Sequence, residues 1–115
     1  AAALLVGATA LAVKAFDDRA LFVPPPDAVA EGFTRELATK RYDRAQPYLV
    51  KEAPEAELRE LAKRIGDPNE VEAEIVARDD QRALVNVRVK SAKHSDALAY
   101  ELVFEDEWKV VWADR

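Results

Sequence analysis

The sequence predicts an α+β domain: three N-terminal helices packed on a four-stranded antiparallel sheet, preceded by an N-terminal hydrophobic transmembrane helix. Three observations carry this expectation. Apolar residues recur at helical spacing as far as Ile65, and in alternation from Val71 onward. The stretch Ala1–Val13 contains no charged residue. Of the 115 residues, 50% are hydrophobic and 34% charged, a balance that suits one packed core and leaves no length for a second domain.

The N-terminal stretch reads AAALLVGATALAV, followed by Lys14, Ala15 and Phe16 and then by Asp17, Asp18 and Arg19. A sixteen-residue helix spans about 24 Å, slightly short of the roughly twenty apolar residues that a bilayer core requires. A snorkelling Lys14 and further residues upstream would close that gap. Position 1 is not Met, so the numbered sequence is expected to start within a longer or processed chain. Two other readings compete: the hydrophobic part of a signal peptide and an alanine-rich helix packed inside the protein. The anchor reading is preferred. It gives a single-pass membrane anchor over residues 1–22, in contact with lipid through residues 1–16. Gly7, Ala8 and Ala10 are among the small residues through which it would contact a partner helix.

Val23-Pro24-Pro25-Pro26 marks the end of the anchor, because consecutive prolines favour an extended chain. The expected organisation is therefore a Pro-rich linker over 23–27 and a domain over 28–115. Asp27 stands where an N-cap is wanted. Val29, Phe33 and Leu37, with Ala30 and Ala38 beside them, form one apolar stripe running to about Lys40. A short helix from near Tyr42 carries Ala45, Tyr48 and Leu49 inward, and Pro47 limits its length. Pro54 suits the first position of a third helix. Leu58, Leu61, Ala62 and Ile65 give that helix its buried face, and Gly66 its C-cap.

The period then changes to two. Val71, Ala73, Ile75 and Ala77 alternate with Glu72, Glu74, Val76 and Arg78, and Asp79-Asp80-Gln81 forms a tight turn. Ala83, Val85, Val87 and Val89 make the inner face of a second strand, and Ser91 to Asp96 a polar loop. Leu98, Tyr100, Leu102 and Phe104 face inward from a third strand. Trp108, Val110 and Trp112 finish the fourth. Short connections make this an antiparallel meander, with one apolar face against the helices.

The chemistry is mostly exclusion. The chain has no Cys, which removes thiolate nucleophiles, disulfides and Cys-ligated metals. Beyond residue 16 it carries 16 basic and 22 acidic residues, net −6, so a nucleic-acid partner is not expected. His94 is the single histidine and falls in a polar loop, without an orienting partner in sequence. Glu72 with Glu74, and Glu101 with Glu105, share polar strand faces and read as solvated surface. Tyr100, Phe104, Trp108 and Trp112 read as core aromatics. No phosphate loop, dinucleotide glycine pattern or nucleophile elbow occurs. No catalytic residue, cofactor or metal is expected.

Helix, short helix, helix and then an antiparallel sheet resembles the cystatin-like cone of the nuclear transport factor 2-like superfamily. The stretch VAEGFTRELATKRYDRAQPYL (29–49), with Arg41, Tyr42 and Ala45 at the helix junction, resembles the opening of a bacterial domain-of-unknown-function branch of that superfamily. Ala83-Leu84-Val85-Asn86-Val87 resembles its middle strand, and Glu107-Trp108-Lys109-Val110 its ending. The resemblance covers residues 28–113. It implies a curved, cone-like sheet and a domain outside the cytoplasm, behind a membrane helix or a lipoprotein signal. The superfamily also contains isomerase- and dehydratase-type enzymes that use ionisable groups inside the cone. Here the inward positions are apolar except Tyr100, which argues against that activity. The expectation is a non-catalytic, membrane-anchored accessory protein in the periplasm, contacting protein subunits of a membrane complex. An energy-converting complex would be one such host. The alternative is a small-molecule-binding module with Phe33, Tyr42, Tyr100 and Trp112 lining the interior.

Overall fold

A computed structural model describes residues 23–112 of the chain. The expected anchor, with Gly7, Ala8 and Ala10, lies outside the described residues. The elements run α1 (Pro26–Ala38), α2 (Tyr42–Ala45), a 3-10 turn (Gln46–Tyr48), α3 (Glu55–Ile65), β1 (Glu70–Arg78), β2 (Arg82–Lys90), β3 (Ser95–Phe104) and β4 (Trp108–Val110). Three helices on a four-stranded antiparallel sheet in the order β1-β2-β3-β4 is the expected α+β arrangement.

The start of α1 corrects the sequence reading. Pro25, extended at φ −69° and ψ 163°, occupies the cap position, and Pro26 is the first helical residue. Proline tolerates that position because its missing N–H would be unpaired there anyway. Pro26 is fully buried, so it belongs to the domain and not to a linker. Asp27 stands inside the first turn and makes no side-chain cap. Its charge still complements the positive helix end, although its Oδ1 is buried without a hydrogen-bond partner among the described residues.

At the other end of α1, Lys40 adopts φ 62°. Its N–H bonds to the Leu37 carbonyl and that of Arg41 to the Glu36 carbonyl, at 3.0 and 2.9 Å. This is the Schellman closure, with lysine at the left-handed position where glycine is usual. In α3, Pro54 caps the helix instead of opening it. Glu55 and Glu57 sit in the first turn and Lys63 and Arg64 in the last, each complementing the helix dipole. Gly66 ends the helix at φ 73°, as its position in sequence suggests.

The inner face of the sheet is built on β2, where Ala83, Val85, Val87 and Val89 are all buried. They pair across β3 with Leu102, Tyr100, Leu98 and Asp96. Against this face lie Val29, Ala30, Phe33 and Leu37 of α1 and Leu58, Ala62 and Ile65 of α3. Each fully buried large apolar side chain contributes roughly 1.5–3 kcal/mol.

Regular alternation fails once. The register of β1 on β2 slips between Ile75 and Ala77, leaving Val76 as an extra, bulged residue. Ala77 then pairs with outward Leu84 and is exposed, while Arg78 pairs with inward Ala83. The expectation that Ala77 faces the core is therefore wrong by one residue of register. Arg78 gains the inner face and places its guanidinium 5.2 Å from the Trp108 ring centre. The last strand also stops sooner than expected: Trp112 lies two residues beyond it.

Two contacts orient α1 over the sheet. Arg35, near its C-terminus, reaches the Val71 carbonyl at the start of β1, and Thr34 meets Tyr100 midway along β3.

Candidate functional site

Phe33 is the centre of the space between α1 and the sheet. Its ring centre lies 5.7 Å from that of Tyr100, 6.3 Å from Trp112 and 6.4 Å from Tyr48. The first two contacts are edge-on, the geometry preferred by ring quadrupoles. Gly32 lets Tyr48 lie against the helix, for its hydroxyl would stand 2.8 Å from any added Cβ. Beside Phe33, the Thr34 hydroxyl donates to the Ala30 carbonyl at 2.8 Å and lies 3.1 Å from the Tyr100 hydroxyl. The Trp112 indole N–H donates to Glu57 at 2.7 Å, closing the rim between α3 and the end of the chain described.

Three of the four residues expected to line an interior pocket are thus brought together, and their rings pack on one another. Tyr42 stands apart. The Arg59 guanidinium covers its ring at 4.8 Å, on the outer side of α3. A groove of about 570 Å³ runs there between α1 and α3, lined by Lys40, Tyr42, Arg59 and Lys63 among others. A smaller depression of about 220 Å³ lies outside Tyr100 and Trp112, against Leu61 and Arg64.

Apart from Asp27, whose Oδ1 is buried, and the Tyr100 hydroxyl, the charged groups singled out in the sequence lie at the surface. His94 is exposed, and its carbonyl accepts the Ser91 amide at 2.7 Å. Glu72 pairs with Arg88 at 3.6 Å and Glu101 with Arg82 at 3.7 Å. Glu105 belongs to the β3–β4 turn and not to the strand. Arg64 of α3 holds Asp96 of β3 at 2.7 Å and also donates to the Ala97 carbonyl. The Arg64 hydrogen bond, helped by the Ala97 amide, holds the Asp96 carboxyl below its usual range. Asp79 is lowered likewise, by the amides of Gln81 and Arg82 across its own turn. No group of three or more acidic or histidine side chains is placed to hold a metal among the described residues, and no helix among them is long and apolar enough to cross a membrane.

Among solved structures, the chain is similar to a candidate NTF2-like transpeptidase from Campylobacter jejuni, with a TM-score of 0.62 at 19% identity. The match covers 78% of this chain and 100% of that one. The fold is NTF2-like. No protein-family model and no curated protein sequence matches the chain. At this identity the likeness concerns the fold, which is the cone expected from the order of helices and strands. Within the NTF2-like cone, sequence reasoning passed over Thr34, Arg64 and Arg78. Thr34 lies one position beside the Phe33 stripe and four after Ala30, a spacing that could have drawn it in. Arg64 and Asp96 are 32 residues apart, and no local pattern links them. Arg78 reaches the inner face through the bulge alone.

Proposed function

We propose that the chain is a non-catalytic, membrane-anchored interaction protein: an accessory subunit whose cone-like domain stands on the extracytoplasmic side, against protein subunits of a membrane complex. The observation that carries this reading is the filled interior. Phe33, Tyr48, Tyr100 and Trp112 occupy the space where an NTF2-like enzyme would need a pocket. The polar pair inside, Thr34 and Tyr100, supplies hydroxyls and no general base. The uncharged stretch Ala1–Val13 supports the anchor, and the sequence patterns of the bacterial domain-of-unknown-function branch support the location.

The activity in the structural neighbour's name would require an activated nucleophile with a base at hand. In this chain the Ser91 hydroxyl bonds to the His94 backbone carbonyl, in an exposed loop, and cysteine is absent. These features support a binding role over acyl transfer.

Removing residues 1–22 should release the protein into the soluble fraction, while the full chain sediments with membranes and comes out in mild detergent together with stoichiometric partners. A truncated protein that still sediments would overturn the anchor. A full chain recovered alone and monomeric would overturn the accessory role.

A further inference from the structure

The strand β3 runs for ten residues and β4 for three. β4 pairs only with Leu102, Val103 and Phe104, and the Val111 amide adds a bond to the Glu101 carbonyl at 2.8 Å. Among the described residues, no strand lies beside Ser95–Ala99 on the side away from β2. Backbone groups alternate between the two sides of a strand. Phe104 donates to Gln81 on the β2 side, whereas Glu101 accepts from Val111 on the β4 side. The register of β3 on β2 is unbroken, so Ser95, Ala97 and Ala99 turn their N–H and C=O groups to the open edge.

Such an edge is a template for pairing with another chain, and folded proteins blunt it. Ser95–Ala99 contains no proline and no lysine, and its register has no bulge. What stands on the edge is the clasp between α3 and β3. The Ala97 amide donates to Asp96 Oδ1 at 2.8 Å, and Arg64 Nη2 donates to the Ala97 carbonyl at 3.1 Å. Arg64 Nε meets Asp96 Oδ2 at 2.7 Å, and its Nη2 meets Oδ1 at 3.3 Å, which ties the two caps together. Both backbone groups of Ala97, at the middle of the open stretch, are thus satisfied by side chains in place of a strand. The Arg64 side chain is half exposed, so the clasp can let go without unfolding the sheet. The depression of about 220 Å³ beside Arg64, Ala99 and Trp112 leaves room along the edge.

The edge is complementary to itself. Antiparallel pairing with β3 of a second copy, around a two-fold axis at Ala97, sets Ala97 opposite Ala97 and Ser95 opposite Ala99 on the outer face. On the inner face it sets Asp96 opposite Leu98. No like charges stand directly opposite, and Lys93 of each copy comes to the side of Glu101 of the other. The two Asp96 carboxylates approach on a diagonal, and their repulsion adds to the barrier that the clasp sets.

We infer that the Arg64–Asp96 clasp is an autoinhibitory plug on the edge of the sheet. Closed, it keeps β3 from pairing; released, it opens Ser95–Ala99 to the same stretch of a second copy.

The test uses the full chain in non-ionic detergent, with association read by sedimentation equilibrium. Residues 1–22 are common to every variant, so association through them cancels in the comparison. Arg64→Ala with Asp96→Ala should dimerise at least about tenfold more tightly than the natural chain, as two or more new hydrogen bonds imply. Adding Ala97→Pro removes the central N–H, which β2 does not use, and should return association to the natural level. The chain has no Cys, so a single one reports position. In the double variant, Ala97→Cys should be joined between copies by a short bis-maleimide. Asn86→Cys, on the outer face of β2, should not, because three strand spacings put it more than about 14 Å from its copy. A double variant no more associated than the natural chain overturns the inference. So does association that survives Ala97→Pro, or cross-linking through Asn86→Cys as rapid as through Ala97→Cys, since either places the contact elsewhere. Should the proline variant fail to fold, the two cysteine variants decide alone.

Discussion

Gly32 occupies a mid-helix position where glycine costs about 0.5–1 kcal/mol relative to alanine. An added Cβ would nevertheless stand 2.8 Å from the Tyr48 hydroxyl and 3.1 Å from two ring carbons. The ring is rigid and held by the 3-10 turn, so it can yield only if that turn moves. Gly32→Ala is expected to destabilise the domain by about 1 kcal/mol, the overpacking cost outweighing the gain in helix propensity. In a Tyr48→Leu background the same change should become neutral or stabilising. Urea unfolding of the four proteins reads the cycle, and equal effects in both backgrounds would show that Tyr48 is not the obstacle. A second residue-scale expectation concerns Thr34. Thr34→Val removes a buried hydroxyl bonded to Ala30 and placed against Tyr100, and should cost about 0.5–1.5 kcal/mol. Combining it with Tyr100→Phe should cost less than the sum of the two single changes, because each single change leaves one buried group short of a partner. Additive costs would mean that the two hydroxyls do not interact. Neither site was fully legible in sequence: the stripe Val29, Phe33, Leu37 marks the buried face, but only the fold brings Tyr48 and Tyr100 to it.

The strands were readable because alternation is a property of neighbours along the chain. The bulge was not, because Ile75, Val76 and Ala77 are all apolar and alternation cannot say which of them is extra. Pairing to β2 decides it, and that is a long-range fact. The consequence can be tested. Deleting Val76 should leave Ala77 opposite Leu84 and Arg78 opposite Ala83, and cost no more than about 1 kcal/mol. Deleting Glu74 instead would turn Val71 and Ala73 to solvent and should cost several kcal/mol. Similar midpoints for both deletions in urea would refute this register. The Arg64–Asp96 clasp joins α3 to β3 and follows the same logic of long-range pairing. Arg64 holds the Asp96 carboxyl below its unfolded value of about 3.9. A lowered folded-state pKa contributes stability above that unfolded value, and the contribution is lost as pH falls through the folded one. Asp96→Asn should therefore be less stable than the natural chain at neutral pH and equal to it at strongly acid pH. The gap at neutral pH should narrow with added salt, since the pair is exposed. A gap that persists unchanged into acid would assign the loss to packing instead of charge.

For the molecule as a whole, element order and the acidic balance were readable from composition and period, whereas occupancy of the interior was not. As sequence, Tyr100 and Trp112 read as core aromatics ahead of a cavity wall, and the difference lies in whether their rings meet Phe33. They meet at 5.7 and 6.3 Å about Phe33. A ligand between α1 and the sheet would therefore have to displace aromatic side chains whose rings already meet there. This gives a direct test against the small-molecule reading. The natural chain should show no rise in thermal midpoint with benzene or indole. Phe33→Ala should lose about 3–5 kcal/mol and leave a dry apolar void. That variant, if the cavity stays open, should then be stabilised by the same compounds through mass action. A rise in the natural chain would mean that α1 lifts readily from the sheet and that the cone binds small apolar molecules after all. A folded Phe33→Ala that responds to neither compound would mean that Tyr48 and Trp112 close over the gap, so that ring packing, and not Phe33 alone, keeps the interior shut.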